Sequence, residues 1–427
     1  MTIYVVKPGD SLWAIGKKFG VMPAHIADVN KINETQNLVV GQTLIIPSRE
    51  RAYVVKPGES IWSISKKFGV SVNSILETNN ISDASAIYPG MVIRIPEKSK
   101  NYGYMEVNGF IQPSNPEKER AVLNESVQYL TYVTPFSHHV NADGSLTPLN
   151  DALILQIAKA NKTAPLVSVS NISGDNFDTK LISSILNNDD LQQTLITNIL
   201  DLIKRTGSLG VVVDFERIPP EDREKYNNFL RKLTARLHPQ YLAATALAPK
   251  TSDVKTGSWH GAHDYKAHGE IVDFVIIMTY EWGWSGGPPM AVAPLNEVRK
   301  VINYAVSVIP PKKIMMGIPL YGYDWTLPYT PKGEFAEAIG NQAAIDRAGK
   351  YKTVIKYDEK SESPHYGYFD ENGKEHVVWF EDARSVEAKY KLASQYGLRG
   401  VSYWSLAQPF PQNWQVLDNM FKIVKLL

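Results

Sequence analysis

The sequence predicts an α/β fold: a TIM (β/α)8 barrel with a small α+β insertion between its seventh and eighth strands, preceded by two small βααβ domains. Two observations carry this prediction. One segment occurs twice near the N-terminus, and the rest of the chain alternates apolar strand-like runs with helical patterns, as parallel sheets with crossover helices do. The predicted boundaries are 1–48 and 52–97 for the repeats and 102–427 for the barrel, with the insertion at about 328–384.

The composition is that of a folded globular protein, and it excludes several classes of function. Hydrophobic residues make up 44% of the 427 positions, charged residues make up 21%, and the formal net charge is +1. Neither a basic surplus nor an apolar run of about 20 residues is present, so we expect no nucleic-acid partner and no membrane partner. The absence of Cys excludes disulfides, thiolate metal sites and a Cys nucleophile. No feature of the sequence calls for more than a monomer.

The N-terminal repeat predicts two copies of a small domain. Residues 4–21 and 53–70 are identical at 14 of 18 positions, with a constant offset of 49. In the first copy, a short strand and a Pro-Gly turn precede a helix whose N-cap we place at Asp10-Ser11. A second helix and a closing strand complete the unit. So small a domain buries only a modest core.

The repeated pattern V-x-x-G-[DE]-[ST]-[LI]-W resembles the LysM module, a family of domains that bind glycans containing N-acetylglucosamine. The resemblance implies that glycan binds to the loop after the first strand, together with the loop after the second helix, at 31–38 and 80–87 in the two copies. The implied glycan-binding residues of the first loops are Gly9, Asp10, Ser11, Gly58, Glu59 and Ser60. We interpret Trp13 and Trp62 as core residues, and a second copy that serves only as a spacer stays an alternative.

After a short polar linker at 97–101, eight strand-like runs define the barrel. These runs are Glu106–Ile111, Tyr129–Phe136, Pro165–Ser170, Leu209–Phe215, Leu242–Leu247, Asp273–Thr279, Lys313–Ile318 and Gly400–Trp404. An amphipathic helix at Pro220–His238 separates the fourth run from the fifth. The number and order of the runs fit a TIM barrel, whose active sites lie at the C-terminal ends of the strands.

The long gap between the seventh and eighth runs predicts an inserted subdomain. Antiparallel strands are predicted at Thr353–Asp358, His365–Asp370 and His376–Phe380, with turns at 362–364 and 371–373. We expect this subdomain to form one wall of a cleft.

Two acidic residues at the end of the fourth run are the first candidates for catalysis. Asp214 and Glu216 are two positions apart, so on a strand both side chains project to the same face. Two nearby carboxyls resist simultaneous ionisation, which predicts a raised pKa for one of them and a role as general acid. The alternative is structural: the pair caps the next helix, or pairs with Arg217 or Lys225.

The fourth run resembles the D-G-x-D-x-D-x-E signature of glycoside hydrolase family 18, the chitinase family. Asp214, Phe215 and Glu216 match its last three positions, whereas Leu209 and Val212 replace the first and the inner Asp. The departures leave open how Asp214 is tuned, because the inner carboxylate that usually neighbours it is missing.

Three further strand ends resemble motifs of the same family. Met278–Glu281 is similar to M-x-Y-D, with Glu281 in place of Asp. Gly317–Trp325 is similar to G-[IV]-P-x-Y-G-x-x-W, and Gly400–Leu406 is similar to the final strand, which ends in a Trp. Four motifs in the correct order identify residues 102–427 as a family member.

The resemblance implies a substrate-assisted, retaining hydrolysis in which the 2-acetamido carbonyl of the substrate is the nucleophile. Glu216 is implied as acid and base, Asp214 as the residue that orients the acetamido group, and Tyr280 as the holder of its oxygen. The implied substrate-binding residues are Trp404 beneath the sugar, with Glu281, Tyr321, Phe110 and Trp325. No cofactor and no metal is implied, and we interpret His138, His139, His260 and His263 as structural or surface residues.

Two LysM modules before such a barrel are similar to a bacterial group of the family that degrades spore-cortex peptidoglycan during germination. This similarity implies an N-acetylglucosaminidase located in the spore, with peptidoglycan as its partner. The N-terminal run MTIYVVKPGDSLW has no charged start before an apolar core, so we expect no standard secretion signal. A chitinase or chitooligosaccharide hydrolase and a catalytically silent wall-binding lectin remain open, although lectins of the family typically lose the acid that Glu216 retains.

Overall fold

The computed structural model describes residues 1–33, 37–47, 51–70, 72–96 and 102–427. The predicted linker at 97–101 lies outside the described residues, as do 34–36 of the predicted loop at 31–38. The chain divides into two compact units, one formed by Met1–Gly103 with Pro411–Lys422 and the other by Tyr104–Phe410 with Ile423–Leu427. Among the described residues, no helix has the length and apolar character needed to cross a membrane.

The first unit contains the two repeats, and each has the predicted βααβ order. The first repeat comprises β1 (Thr2–Val5), α1 (Leu12–Phe19), α2 (Pro23–Asn30) and β2 (Thr43–Ile46), and the second comprises β3 (Arg51–Val54), α3 (Ile61–Phe68), α4 (Val72–Thr78) and β4 (Val92–Ile95). In each repeat the two strands pair in antiparallel fashion. A buried amide joins helix and strand: Asn30 Nδ2 donates to the carbonyls of Ile26 and Ile45, at 2.8 and 2.7 Å. Asn79 makes the equivalent bonds in the second repeat.

The prediction that Trp13 and Trp62 are core residues is wrong. Their exposed fractions are 65% and 64%. Leu12 and Ile15 face the core of the first repeat, and Trp13 follows Leu12 by one position, which turns it about 100° around the helix toward solvent. The Nζ atom of Lys17, one turn later, lies 5.2 Å from the centroid of the Trp13 ring. Lys66 and Trp62 repeat this arrangement.

The second unit contains the barrel and its insertion. Its strands are β5 (Tyr104–Ile111), β6 (Tyr132–Pro135), β7 (His138–His139), β8 (Ala164–Ser170), β9 (Ile172–Ser173), β10 (Asn176–Phe177), β11 (Gly210–Asp214), β12 (Leu242–Leu247), β13 (Phe274–Ile277), β14 (Ile314–Pro319), β15 (Tyr321–Thr326), β16 (Glu337–Gly340), β17 (Lys356–Asp358), β18 (Ser363–Phe369), β19 (Glu375–Trp379) and β20 (Gly400–Trp404). Its helices are α5 (Pro116–Ser126), α6 (Ala152–Ala160), α7 (Thr179–Leu186), α8 (Asp189–Thr206), α9 (Arg223–Leu237), α10 (Tyr265–Ile271), α11 (Leu295–Val308), α12 (Asn341–Lys350) and α13 (Ala383–Gln395). The chain ends with α14 (Pro411–Met420) and β21 (Lys422–Ile423).

Eight parallel strands close the predicted barrel. Their order is β5, β6, β8, β11, β12, β13, β14 and β20, and β20 pairs with β5 to complete the ring. All eight predicted strands are present, and the TIM-barrel prediction is confirmed. Side chains such as Phe110, Tyr132, Val212 and Phe274 fill the interior. Val212, at the position of the missing inner carboxylate, is therefore part of an apolar core.

The insertion is a five-stranded antiparallel sheet in the order β16, β15, β19, β18 and β17. The three predicted strands are present, but β15 and β16 were not predicted, and β15 precedes the predicted start of the insertion. The motif Gly317–Trp325, assigned to the seventh strand, is divided between two strands, because β14 ends at Pro319 and a new strand begins at Tyr321. The predicted turn at 362–364 is also displaced, because Ser363 and Pro364 pair with β17.

Candidate active site

Asp214 and Glu216 lie together at the C-terminal end of the barrel. Asp214 is the last residue of β11, and the exposed fractions of the two residues are only 5% and 8%. Burial raises the pKa of Asp214 to about 7. Burial and the nearby charge of Asp214 raise the pKa of Glu216 well above its usual value, and the charge of Arg217 opposes that shift. The site therefore favours a protonated Glu216 at neutral pH.

The backbone of Glu216 is held by an amide from the neighbouring strand. Asn171 directly follows β8 and is fully buried. Its Oδ1 accepts the N–H of Glu216 at 2.9 Å, and its Nδ2 donates to the Glu216 carbonyl at 2.9 Å. This bidentate contact fixes the register of the acid residue relative to β8. Asn171 is not among the predicted site residues, and its position immediately after the third barrel strand was the signal that could have identified it.

Phe215, which precedes Glu216, is held by the side chain of His263. His263 Nδ1 accepts the N–H of Ala248 at 2.8 Å, so its Nε2 carries the proton that is donated to the Phe215 carbonyl at 3.0 Å. Burial lowers the pKa of His263 to about 4, which keeps the ring neutral. His263 is thus a structural residue beneath the site. Among the described residues, no group of three or more His, Cys, Asp or Glu side chains could hold a metal ion.

Tyr280 and Glu281 follow β13 and reach the same place. Burial, with the charges of Asp214 and Glu216, raises the pKa of Tyr280 well above its usual value, so its hydroxyl stays protonated. Glu281 has a left-handed φ of 69° and accepts hydrogen bonds from the hydroxyls of Tyr321 and Tyr323, the latter at 3.0 Å. Burial raises the pKa of Glu281, and the two hydroxyls oppose that shift.

A cavity of about 820 Å³ brings most of the predicted residues together. It is lined by Phe110, Asp214, Glu216, Tyr280, Glu281, Tyr321 and Trp404. Trp404, at the end of β20, is half-buried, and its ring packs edge-on against Phe136 at a centroid distance of 4.7 Å. Phe110 packs against the same indole at 5.7 Å and is itself largely buried. This packing leaves Trp404 as an aromatic floor beside the carboxyls.

Trp325 does not line the cavity, so its predicted place in the cleft wall is wrong. Its exposed fraction is 2%, and its indole N–H donates to the Gly287 carbonyl at 2.9 Å. The ring packs against Tyr323 inside the insertion. Tyr321 starts β15 at the cavity, and four residues of extended chain carry Trp325 about 13 Å along the strand and away from it.

The cavity also contains residues that sequence reasoning did not select. Aromatic side chains that follow several barrel strands contribute much of its wall, namely Phe136, Phe177 in β10, Trp259, Trp282 and Trp284. Its polar lining further includes Gln112, Arg217 and His260. The run Trp282-Gly283-Trp284, directly after Glu281, was a readable signal for exposed aromatic residues at a strand end.

The predicted LysM residues lie in the loops before α1 and α3, and most of their side chains are used locally. Asp10 accepts the Tyr4 hydroxyl and the Lys7 N–H, both at 2.8 Å, and Ser11 caps α1. Glu59 and Ser60 make corresponding bonds to Tyr53, Lys56 and Ser63 in the second repeat. Gly9 and Gly58 have φ values of 84° and 82° and face open space. Their glycan-binding roles stay predictions.

Comparison with known proteins agrees with this architecture. The sequence matches the family described as Glycosyl hydrolases family 18 over residues 102–408, and the LysM domain over residues 4–47 and 53–96. It is 47% identical over 427 residues to a cortical fragment-lytic enzyme of Bacillus cereus, covering 99% of each chain. It is 48% identical over 429 residues to a cortical fragment-lytic enzyme of Bacillus subtilis (strain 168), covering 100% of this chain and 99% of that protein.

A solved structure supports the same relationship. The crystal structure of the Bacillus cereus spore cortex-lytic enzyme SleL superimposes with a TM-score of 0.86 at 42% identity, covering 99% of this chain and 98% of that one. The strand-end carboxyls, the closed eight-stranded barrel and the family match thus agree. The chain belongs to the glycosyl hydrolases of family 18 and is a glycosidase with two N-terminal LysM domains.

Proposed function

We propose that the protein hydrolyses the β-1,4 bond on the reducing side of N-acetylglucosamine in spore-cortex peptidoglycan fragments. The observation that carries this proposal is the buried Asp214–Glu216 pair beside Tyr280 and Trp404 in one cavity. The names of the relatives, cortical fragment-lytic enzyme and spore cortex-lytic enzyme, support the choice of substrate.

In the first step, protonated Glu216 donates its proton to the glycosidic oxygen as the bond to C1 breaks. The 2-acetamido carbonyl of the same sugar attacks C1 and forms an oxazolinium ion, so no second enzyme carboxyl is needed as nucleophile. Asp214 accepts the acetamido N–H and offsets the positive charge. Its Oδ1 is buried and, among the described residues, has no hydrogen-bond partner, so it is available for this contact.

The second step returns the proton. Glu216, now ionised, takes a proton from a water molecule as that water attacks C1 and opens the oxazolinium ring. The Tyr280 hydroxyl donates to the acetamido oxygen in both steps, and Trp404 lies beneath the sugar ring. Two displacements at C1 leave its configuration unchanged.

The remaining predictions complete the proposal. The LysM loops retain the enzyme on glycan, and the protein acts in the spore as a monomer without metal or cofactor. We also propose the domain boundaries 1–48, 52–97 and 102–427. Glu281 and Tyr321 bind substrate at the cavity wall, and Phe110 supports Trp404.

Reducing-end analysis of partly digested cortex glycan tests the function, with Glu216→Gln as the blank. We expect new N-acetylglucosamine reducing ends that are absent with the variant. Release from chitooligosaccharides but not from cortex would assign the protein to the chitinases. Binding without release from either substrate would leave the lectin alternative.

A further inference from the structure

Arg217 is a cation that lines the catalytic cavity. It immediately follows Glu216, adopts a left-handed φ of 54° and lines the cavity with its exposed side chain. Among the described residues, no carboxylate forms a salt bridge with its guanidinium. Since the Asn171 contact fixes the residue before it, the backbone that directs Arg217 into the cavity is also fixed.

An aromatic ring orients the guanidinium. Trp259, in the segment between β12 and α10, lines the same cavity and has an exposed fraction of 41%. The Cζ atom of Arg217 lies 5.7 Å from the centroid of the Trp259 ring, within the range of a cation–π contact. A guanidinium held on an aromatic face keeps its N–H edge free, and that edge matches the two oxygens of a carboxylate.

We infer that Arg217, held against Trp259, binds a carboxylate on the muramoyl residue next to the scissile bond. The inference rests on the proposed function and specifies the ligand beside the cleaved sugar. A chain of N-acetylglucosamine alone is neutral and offers this cation no partner. A muramoyl residue carries a lactyl ether that ends in a carboxylate or extends into a peptide with carboxylates of its own.

A competing explanation is that Arg217 acts only on the neighbouring acid, because its charge lowers the pKa of Glu216. The two roles differ in what they depend on. An effect on Glu216 changes the hydrolysis of every substrate by the same factor and displaces the pH profile for all of them. A carboxylate subsite changes the preference between charged and neutral substrates.

The test uses the full chain and two soluble oligomers of alternating N-acetylglucosamine and N-acetylmuramic acid, one with free lactyl carboxylates and one with those groups amidated. The measured quantity is the ratio of kcat/KM for the charged oligomer to that for the amidated one, for the wild type, Arg217→Gln and Arg217→Lys. Arg236→Gln, on the exposed side of α9, removes the same charge away from the cavity and is the matched control.

We expect Arg217→Gln to lower this ratio about tenfold, Arg217→Lys to lower it less, and Arg236→Gln to leave it at the wild-type value. Added salt should lower the wild-type ratio as well. Equal losses on both oligomers would overturn the subsite and leave Arg217 with an effect on Glu216 alone. Failure of the wild type to release N-acetylglucosamine ends from either oligomer would overturn the proposed function itself.

Discussion

Asp214 is buried at the rim of the barrel, and burial favours its neutral form. Ionisation of this carboxyl therefore lowers the free energy of unfolding. Its pKa lies at about 7 in the folded protein, above the ordinary 3.8, so the folded state holds a proton that the unfolded state releases between these values. The contribution of this carboxyl to the free energy of unfolding is fully present below about pH 4 and is lost as the pH rises to about 7. The difference corresponds to at most about 4 kcal/mol.

Replacing this carboxyl by an amide should remove that dependence. We expect Asp214→Asn to have a higher free energy of unfolding than the wild type at pH 7.5, and the two to converge near pH 4. Urea titrations across this range measure the effect, with Asp175→Asn, at an exposed position, as the control. A wild type that gains stability relative to Asp214→Asn as the pH rises would contradict the assignment.

We expect Asn171 to act by position, since it contacts Glu216 through the backbone alone, and its Nδ2 also donates to the Asp178 carbonyl at 3.1 Å. Asn171→Ala removes all three bonds, and we expect kcat to fall about 10- to 100-fold with little change in KM, because small displacements of a catalytic group are costly. Asn171→Asp keeps an acceptor for the Glu216 N–H but places a carboxylate oxygen against the Glu216 carbonyl. We therefore expect this variant not to restore kcat.

The control for this prediction is Asn198→Ala, whose amide donates to the Gly144 carbonyl from α8. Single-turnover rates and pH profiles separate the possibilities. A variant at 171 that melts earlier but turns over at the wild-type rate would show that the amide serves stability alone.

Residues whose side chains take part in the chemistry were easier to predict from the sequence than residues that position the backbone of others. Asp214 and Glu216 were readable because spacing of two at a strand end places both carboxyls on one face. Asn171 and His263 were not, because each contacts a carbonyl or N–H of a different strand, and sequence spacing does not encode that partner. Trp13 was misread because its helix has only one buried stripe and the neighbouring Leu12 occupies it.

At the scale of elements, β15 links the cavity to the insertion, because successive side chains of a strand point to opposite faces of the sheet. Tyr321 and Tyr323 project to Glu281, whereas Asp324 projects to the opposite face of the sheet. There Asp324, 3% exposed, accepts the Tyr368 hydroxyl at 2.7 Å and His376 Nδ1 at 2.8 Å, and also pairs with Arg347. The buried carboxylate therefore joins β15 to three other elements of the insertion.

Loss of this carboxylate should weaken the insertion. We expect Asp324→Ala to lower the free energy of unfolding by about 1–3 kcal/mol, because the Tyr368 hydroxyl and His376 Nδ1 lose their acceptor, whereas Arg347 keeps its contacts with Glu337. Chemical denaturation measures this loss, and Glu334→Ala, an exposed position in the same insertion, is the control. An unchanged free energy of unfolding would mean that Tyr368 and His376 find other partners and that Glu337, already paired with Arg347, is sufficient for that cation.

The insertion also shows why β15 and β16 escaped prediction. The predicted seventh strand ends at Ile318, and no turn residue other than Pro319 separates it from the aromatic run that begins at Tyr321, so no second strand was predicted there. The exposed residues of β16, Glu337 and Ala338, give no period-two apolar pattern. Pairing with β15 defines β16, and that pairing is tertiary information.

For the whole molecule, the two LysM repeats and the barrel were each predictable because each follows a strong local period. The grouping of α14 with the repeats was not predictable, since it depends on contacts between residues almost 400 positions apart. α14 lies against α2 and β2 of the first repeat within the first unit. The last helix therefore depends on the N-terminal domain for part of its packing.

Removal of residues 1–97 tests what the repeats contribute. We expect the shortened chain to be retained more weakly on insoluble peptidoglycan while it still hydrolyses soluble fragments, because the cavity is built from the second unit alone. Its melting temperature should also fall, since α14 loses α2 and β2 as neighbours. Pull-down on walls measures retention, with full-length Glu216→Gln as the binding control, and calorimetry measures the melting temperature. Equal retention of the two chains would refute anchoring, and an unchanged melting temperature would show that α14 needs no support from the repeats.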